Sequence, residues 1–68
     1  MKSKTATLVK NLRLELGLSQ IEFAKRVGKP QSTIARIETG AVLPTVHLLS
    51  EIARKVGKRL EISFVEKA

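Results

Sequence analysis

Apolar residues recur along this chain at helical spacing in four runs, and a glycine follows the end of each run. Residues 5–16 carry Leu8, Leu12 and Leu16 four apart with Val9 beside them, which predicts a first helix with one inward stripe. Either Ser3 or Thr5 caps it, and Gly17 stops it. Residues 20–27 follow, with Ile21, Phe23, Ala24 and Val27 as the apolar set and Glu22, Lys25 and Arg26 between them. Ser19, with Glu22 three residues later, has the form of a capping box, in which each side chain accepts from the other residue's backbone N–H. Gly28 ends this helix, and Pro30, which cannot continue it, fits the first turn of the next. The third helix covers residues 31–39, with Ile34 and Ile37 inward and Gly40 as its stop. Ala24 falls mid-helix, where a small side chain lets the third helix cross closely. Thr45 caps a fourth helix over residues 46–56, whose Leu49, Ile52, Ala53 and Val56 follow the i, i+3, i+4, i+7 pattern. Between the last two helices, the apolar residues of 41–44 are expected to tuck against the core.

Beyond Gly57 the period changes from helical to alternating. Over residues 58–66, Leu60, Ile62 and Phe64 fall on one side and Arg59, Glu61 and Ser63 on the other, with Val65 interrupting. That pattern predicts a half-buried β-strand. A lone strand has no hydrogen-bond partner in its own molecule and exposes open edges. The same strand from a second copy, antiparallel about a two-fold axis, supplies a partner. The alternative is a tail that packs its apolar side on the helices and pairs with nothing. The expected fold is therefore an all-α, four-helix domain over residues 1–57 followed by a C-terminal dimerisation strand, residues 58–66.

Size strengthens the case for a dimer. A chain of 68 residues makes one domain at most, and a domain of about 60 residues buries only about 60% of its unfolded surface. No cysteine is present to staple it. The single histidine, His47, and the absence of aspartate leave little from which to build a metal site, and no cofactor is expected. The same shortage argues against an enzyme, because nothing places an activated nucleophile beside a base. No apolar run approaches the roughly 20 residues that span a bilayer. Met1-Lys2-Ser3-Lys4 lacks the hydrophobic core of an export signal, so a cytoplasmic protein is expected.

Thirteen Lys and Arg against six Glu give a formal charge of +7. Such a balance suits a polyanion, since each neutralised phosphate releases condensed counterions; an acidic protein or an anionic membrane surface is also compatible. Only Phe23 and Phe64 are aromatic, which disfavours a single-strand binder that stacks bases on aromatic side chains. Duplex DNA fits better. Lys2, Lys4 and Lys10 fit a solvated face, with a phosphate contact near the start of the first helix as the other reading.

The chemistry concentrates at residues 19–40, two short helices joined by a tight turn. With Ile34 and Ile37 buried, the second of them is left with Gln31, Ser32, Thr33 and Arg36 to present. Glutamine and arginine each form two hydrogen bonds to a purine edge in the major groove, and the N-terminal end of such a helix reaches furthest into it. Gln31 to Thr33 are otherwise a plain polar first turn. Leu18-Ser19-Gln20, Phe23-Ala24, Val27-Gly28, Gln31-Ser32-Thr33-Ile34, Arg36-Ile37-Glu38 and Gly40 together resemble the lambda-repressor-like (Cro/repressor, or Xre) helix-turn-helix family. The resemblance implies a sequence-specific repressor that binds a near-palindromic operator in double-stranded DNA as a homodimer. It implies that Gln31, Ser32 and Arg36 face base edges, and that Gln20, which also supports Gln31, and Thr33 and Thr39 lie at phosphates. Lys29, a cation in the turn where the family has an apolar residue, is expected at the DNA backbone. Arg13 and Glu38 match a structural salt bridge of that family, and Pro30 stands where its members commonly have a capping serine or threonine. The alternating segment with Leu60, Ile62 and Phe64 is similar to that of small antitoxins of the HigA and HipB kinds, which implies autorepression of a toxin–antitoxin operon and a toxin as a further partner. A protein-interaction module that neutralises a toxin, or a phage-type repressor without one, are the alternatives.

Overall fold

The computed structural model describes residues 4–67, and in it four helices follow one another: α1 Lys4–Glu15, α2 Gln20–Val27, α3 Gln31–Thr39 and α4 Val46–Lys55. α1 begins at Lys4, so Thr5 lies inside the helix; Ser3 and Lys2 lie outside the described residues. The starts of α2 and α4 are fixed by side chains. The Ser19 hydroxyl accepts from the Glu22 N–H at 3.1 Å while the Glu22 carboxylate accepts from the Ser19 N–H at 2.9 Å. The Ser19 backbone N–H first, and the Ser19 side chain after it, hold the exposed Glu22 carboxyl below the usual carboxylate range. Thr45 Oγ1 accepts from the Leu48 N–H at 3.0 Å. α3 has Pro30 at its cap and no side-chain cap bond, so only the Pro30 carbonyl serves its first turn, accepting from Thr33 and Ile34.

Helix ends follow one design. After α2 the Gly28 N–H donates to the Lys25 carbonyl and the Lys29 N–H to the Ala24 carbonyl, the crossed pair of a Schellman motif. Gly28 sits at φ 70° with open space where a Cβ would stand, so backbone conformation alone requires glycine there. Gly40 and Ala41 repeat the pair on Ile37 and Arg36, and the same crossed bonds follow α1 and α4.

The core is a single cluster of Val9, Phe23, Ala24, Val27, Ile34, Ile37, Leu49, Ile52 and Val56, with Leu12, Leu16, Leu18, Leu48 and Leu60 packed against it. α3 packs on both α1 and α2, and α4 closes over α2. The nearly inaccessible Ala24 lets α3 approach α2 without a large side chain between them. Some apolar positions lie elsewhere than periodicity placed them. The inward stripe of α1 centres on Ala6 and Val9, which leaves Leu8 on its edge and exposed. Ile21 is exposed as well, because the inward positions of α2 are 20, 23, 24 and 27, about 100° around the helix from it. Val42 and Leu43 do not tuck in: the Ala41 and Val42 N–H groups both donate to the Arg36 carbonyl, turning the connection back over the end of α3, and Pro44 is its half-buried residue.

Among the described residues there is no β-strand. Residues 58–67 run without regular hydrogen-bonded structure, because four helices offer no sheet edge to pair with. Leu60 packs on the core, whereas Ile62 and Phe64, expected on the same half-buried side, are 64% and 104% exposed. Arg59 and Glu61, two residues apart, do share a side and form an exposed ion pair at 3.1 Å.

Phe23, fully buried in this one cluster, gives the sharpest test of it. Truncating a buried phenylalanine costs about 3–5 kcal/mol, comparable with the whole stability of a domain this size at roughly 0.05–0.15 kcal/mol per residue. Phe23→Ala is expected to be largely unfolded at 25 °C by circular dichroism, whereas Ile21→Ala, on the exposed side of the same helix, is expected to stay within about 0.5 kcal/mol of the parent in urea titration.

Candidate nucleic-acid interface

α3 separates the side chains that hold it from those it presents. Ile34, Ile37 and Glu38 lie on one side and are buried. At about 100° per residue, Ser32, Arg36 and Thr39 form the opposite stripe, and all three are exposed. Gln31 and Thr33 flank it, Gln31 exposed in the first turn and Thr33 half-buried. The Thr39 hydroxyl donates to the Arg36 carbonyl at 3.2 Å, so in this structure it closes the helix end. Gln31, Ser32 and Arg36 are thus all available to a groove-sized partner. Serine and arginine sit one above the other, and glutamine stands at the helix tip.

What aims this stripe is a clip on the buried side. Arg13 grips Glu38 with two nitrogens, Nε to Oε2 at 2.7 Å and Nη2 to Oε1 at 3.0 Å. Its remaining nitrogen, Nη1, donates to the Leu18 carbonyl at 2.9 Å. Gln20 Nε2 adds a bond to Glu38 Oε1 at 3.2 Å. One carboxylate therefore ties together α1, the α1–α2 connection, α2 and α3. The side chains are 12% and 3% exposed, so the pair is shielded from water. Burial pushes the Glu38 carboxyl up, but the hydrogen bonds from Arg13 and Gln20 and the charges of Arg13 and Lys10 outweigh it and leave the carboxyl below the usual range. The Glu38 hydrogen bond in turn raises the Arg13 guanidinium above its ordinary value. Among the described residues no buried side-chain nitrogen or oxygen lacks a hydrogen-bond partner.

Besides Thr39, two more residues expected at phosphates are engaged within the protein. Gln20 turns its amide inward to Glu38. The spacing 20, 23, 24, 27 carries that signal, since a polar residue at the first inward position of an amphipathic helix needs a buried partner. Lys29, in the α2–α3 turn, places Nζ 3.4 Å from Glu51 Oε2 on α4, with both side chains just over a quarter exposed. Glu51 was not among the expected site residues; it is a half-buried glutamate one position before the inward Ile52 and Ala53. No described helix is long and apolar enough to cross a membrane, and among the described residues no group of His, Cys, Asp and Glu side chains is arranged to hold a metal ion.

A family model described as helix-turn-helix matches residues 9–62. The chain is 44% identical over 52 residues to an "Uncharacterized HTH-type transcriptional regulator" of Methanothermobacter thermautotrophicus, covering 76% of this chain and 75% of that protein. A protein of the same description from Archaeoglobus fulgidus is 36% identical over 59 residues, 87% of this chain and 84% of its own length. The "ImmF control region 10 kDa protein" of Bacillus phage phi105 is 36% identical over 70 aligned residues, 94% of this chain and 78% of that protein. No solved structure matches significantly.

The clip has a pH signature. Glu38 has a folded-state pKa below its unfolded value, so its contribution is fully present above the unfolded carboxylate pKa of about 4.3 and is lost as pH falls through the lower folded value. Urea midpoints are expected to hold between pH 7 and about 5 and to drop below that. Glu38→Gln leaves the Arg13 guanidinium without its counter-charge, and about 3–5 kcal/mol of stability is expected to be lost at pH 7, with a shallower acid slope remaining.

Proposed function

We propose, from the premise that this chain belongs to the lambda-repressor-like helix-turn-helix family, that it is a DNA-binding transcriptional regulator that represses from a near-palindromic operator as a homodimer. The observation that carries this reading is the exposed Gln31, Ser32 and Arg36 on a helix whose opposite side is clamped by Arg13 and Glu38. A rigidly held helix that offers a glutamine and an arginine at its outer side suits major-groove readout, where each makes a bidentate contact to a purine edge. Phosphate contacts from Lys29, Thr33, Thr39 and the start of α2 at Gln20 set the register, and the base contacts supply sequence discrimination. Such a regulator works in the cytoplasm, associated with the nucleoid when bound.

The dimer rests on the C-terminal segment. Ile62 and Phe64 expose large apolar side chains in the single chain, and residues 58–66 alternate as a strand does. Antiparallel pairing of Leu60, Ile62 and Phe64 with a second copy covers those side chains and sets two copies of α3 about one helical turn of DNA, roughly 34 Å, apart. The finer role is autorepression as the antitoxin of a toxin–antitoxin operon, with the toxin as a second partner. The phi105 relative, named for a phage control region, favours instead a regulator without a toxin. A pull-down with the product of the adjoining gene separates the two.

The direct test is a gel shift on DNA from immediately upstream of its own gene, against scrambled competitor at fixed salt. One near-palindromic segment is expected to be retained selectively. Arg36→Ala is expected to relax discrimination at one base pair per half-site by about 1–3 kcal/mol, while Lys29→Ala weakens binding to all sequences alike and lowers the salt dependence. Uniform loss in both variants contradicts this division of labour. Ile62→Glu is expected to sediment as a monomer, and a variant that remains dimeric by light scattering removes the pairing through residues 58–66.

A further inference from the structure

Among the described residues, Lys29 and Glu51 make the one ion pair between the α2–α3 turn and α4, and it differs in kind from the Arg13–Glu38 clip. The separation of 3.4 Å is longer than the 2.7–2.9 Å of a well-made charged hydrogen bond. Both side chains keep just over a quarter of their surface in water, whereas Glu38 is almost wholly enclosed. The lysine stands directly before Pro30 and the exposed first turn of α3. Its partner is thus a second-best acceptor: near enough to cancel part of the charge, loose enough to yield to a stronger anion.

We infer that Glu51 is a positioning residue that withholds Lys29 from duplex DNA, setting overall affinity without altering which sequence is preferred. This inference rests on the DNA-binding reading above. A phosphate that approaches the turn must compete with a carboxylate already in place, so binding through Lys29 exchanges one ion pair for another and releases less net counterion than a free lysine does. A phosphate contact carries no sequence information, so the discount applies equally to cognate and non-cognate duplexes. For a chain with thirteen basic residues against six acidic ones, the restraint has a use. Non-cognate DNA is in vast excess in a cell, and each unrestrained cation tightens binding to all of it.

The test is a double-mutant cycle on the full chain with Glu51→Gln, Lys29→Ala and the combination. Binding is titrated by fluorescence anisotropy on the retained operator and on a scrambled duplex at several salt concentrations. Glu51→Gln is expected to tighten binding to both duplexes by about 2–5-fold, leave their ratio unchanged, and steepen the slope of log K against log salt by a fraction of the roughly 0.9 that one whole phosphate contributes. In the Lys29→Ala background the same substitution is expected to change affinity less than 1.5-fold. Thermal melts report folding, and Glu51→Ala, favourable in a helix, is the second variant should the glutamine be poorly folded. Equal gains from Glu51→Gln with and without Lys29 would show a generic charge effect and overturn the inference, as would weaker binding or a changed operator preference. Such results leave the DNA-binding reading standing. Failure of the unaltered protein to bind either duplex overturns both.

Discussion

The Glu38 carboxylate, enclosed on α3 and held by two nitrogens of Arg13 and the amide of Gln20, is the constraint on which the rest of the structure depends. Enclosing an ion costs several kcal/mol that only close hydrogen bonding returns, so this geometry has little tolerance for a shifted helix. A buried ion pair is a weak source of net stability beside an apolar pair of similar volume, but the loss of one partner alone is severe. Its contribution here is directional. Apolar contacts among Val9, Phe23, Ile34 and Ile37 hold α1, α2 and α3 together while permitting small rotations. The bidentate fork fixes the rotation of α3 about its own axis, and with it the direction in which Ser32 and Arg36 point. Because Arg13 also holds the Leu18 carbonyl, the same fork anchors the connection that leads into the Ser19 cap.

Most of the helical architecture was legible in the chain because its local signals agree with one another. Ser19 with Glu22, Thr45, and the glycines after each run mark helix ends by mechanisms that act within a few residues. What the periodicity misplaced depends on longer range. Leu8 and Ile21 look inward if apolar character alone defines a stripe, yet the stripes are set by what lies across the interface: α3 packs on both helices, and the buried positions there are Ala6 and Val9 of α1 and Phe23, Ala24 and Val27 of α2. Gln20 takes the inward position Ile21 was expected to share, since a buried carboxylate waits for it there. The pairing of Arg13 with Glu38 spans 25 residues and is invisible to spacing; the family resemblance indicated it. The ion pair of Lys29 with Glu51 had no such indication.

The C-terminal segment illustrates a different limit. Alternation of Leu60, Ile62 and Phe64 is a statement about side chains, whereas a strand exists only where another backbone accepts and donates its hydrogen bonds. Within one molecule α1 and α4 give Leu60 an apolar surface but give the backbone no ladder, so the alternation is present and the strand is not. The same physics leaves Ile62, Phe64 and Val65 in water, in a small domain whose core is already limited by its size.

Charge completes the division between the side chains that hold α3 and those it exposes. Glu38, Glu51 and Glu61 each face a cation, and Glu22 is engaged by the Ser19 cap. These partnerships are unequal, and the inequality is what matters. Arg13 is mostly enclosed, and all three of its guanidinium nitrogens are engaged by Glu38 and the Leu18 carbonyl. Arg59, exposed with its partner, loses little of its charge to solvent-screened Glu61. Lys29 lies between these extremes, half-buried with its Nζ 3.4 Å from the Glu51 carboxylate. The excess of seven positive charges is therefore not a uniform coat. It is graded by burial, from a cation enclosed in the fold, through one loosely paired at the turn, to Arg36, which α3 leaves exposed.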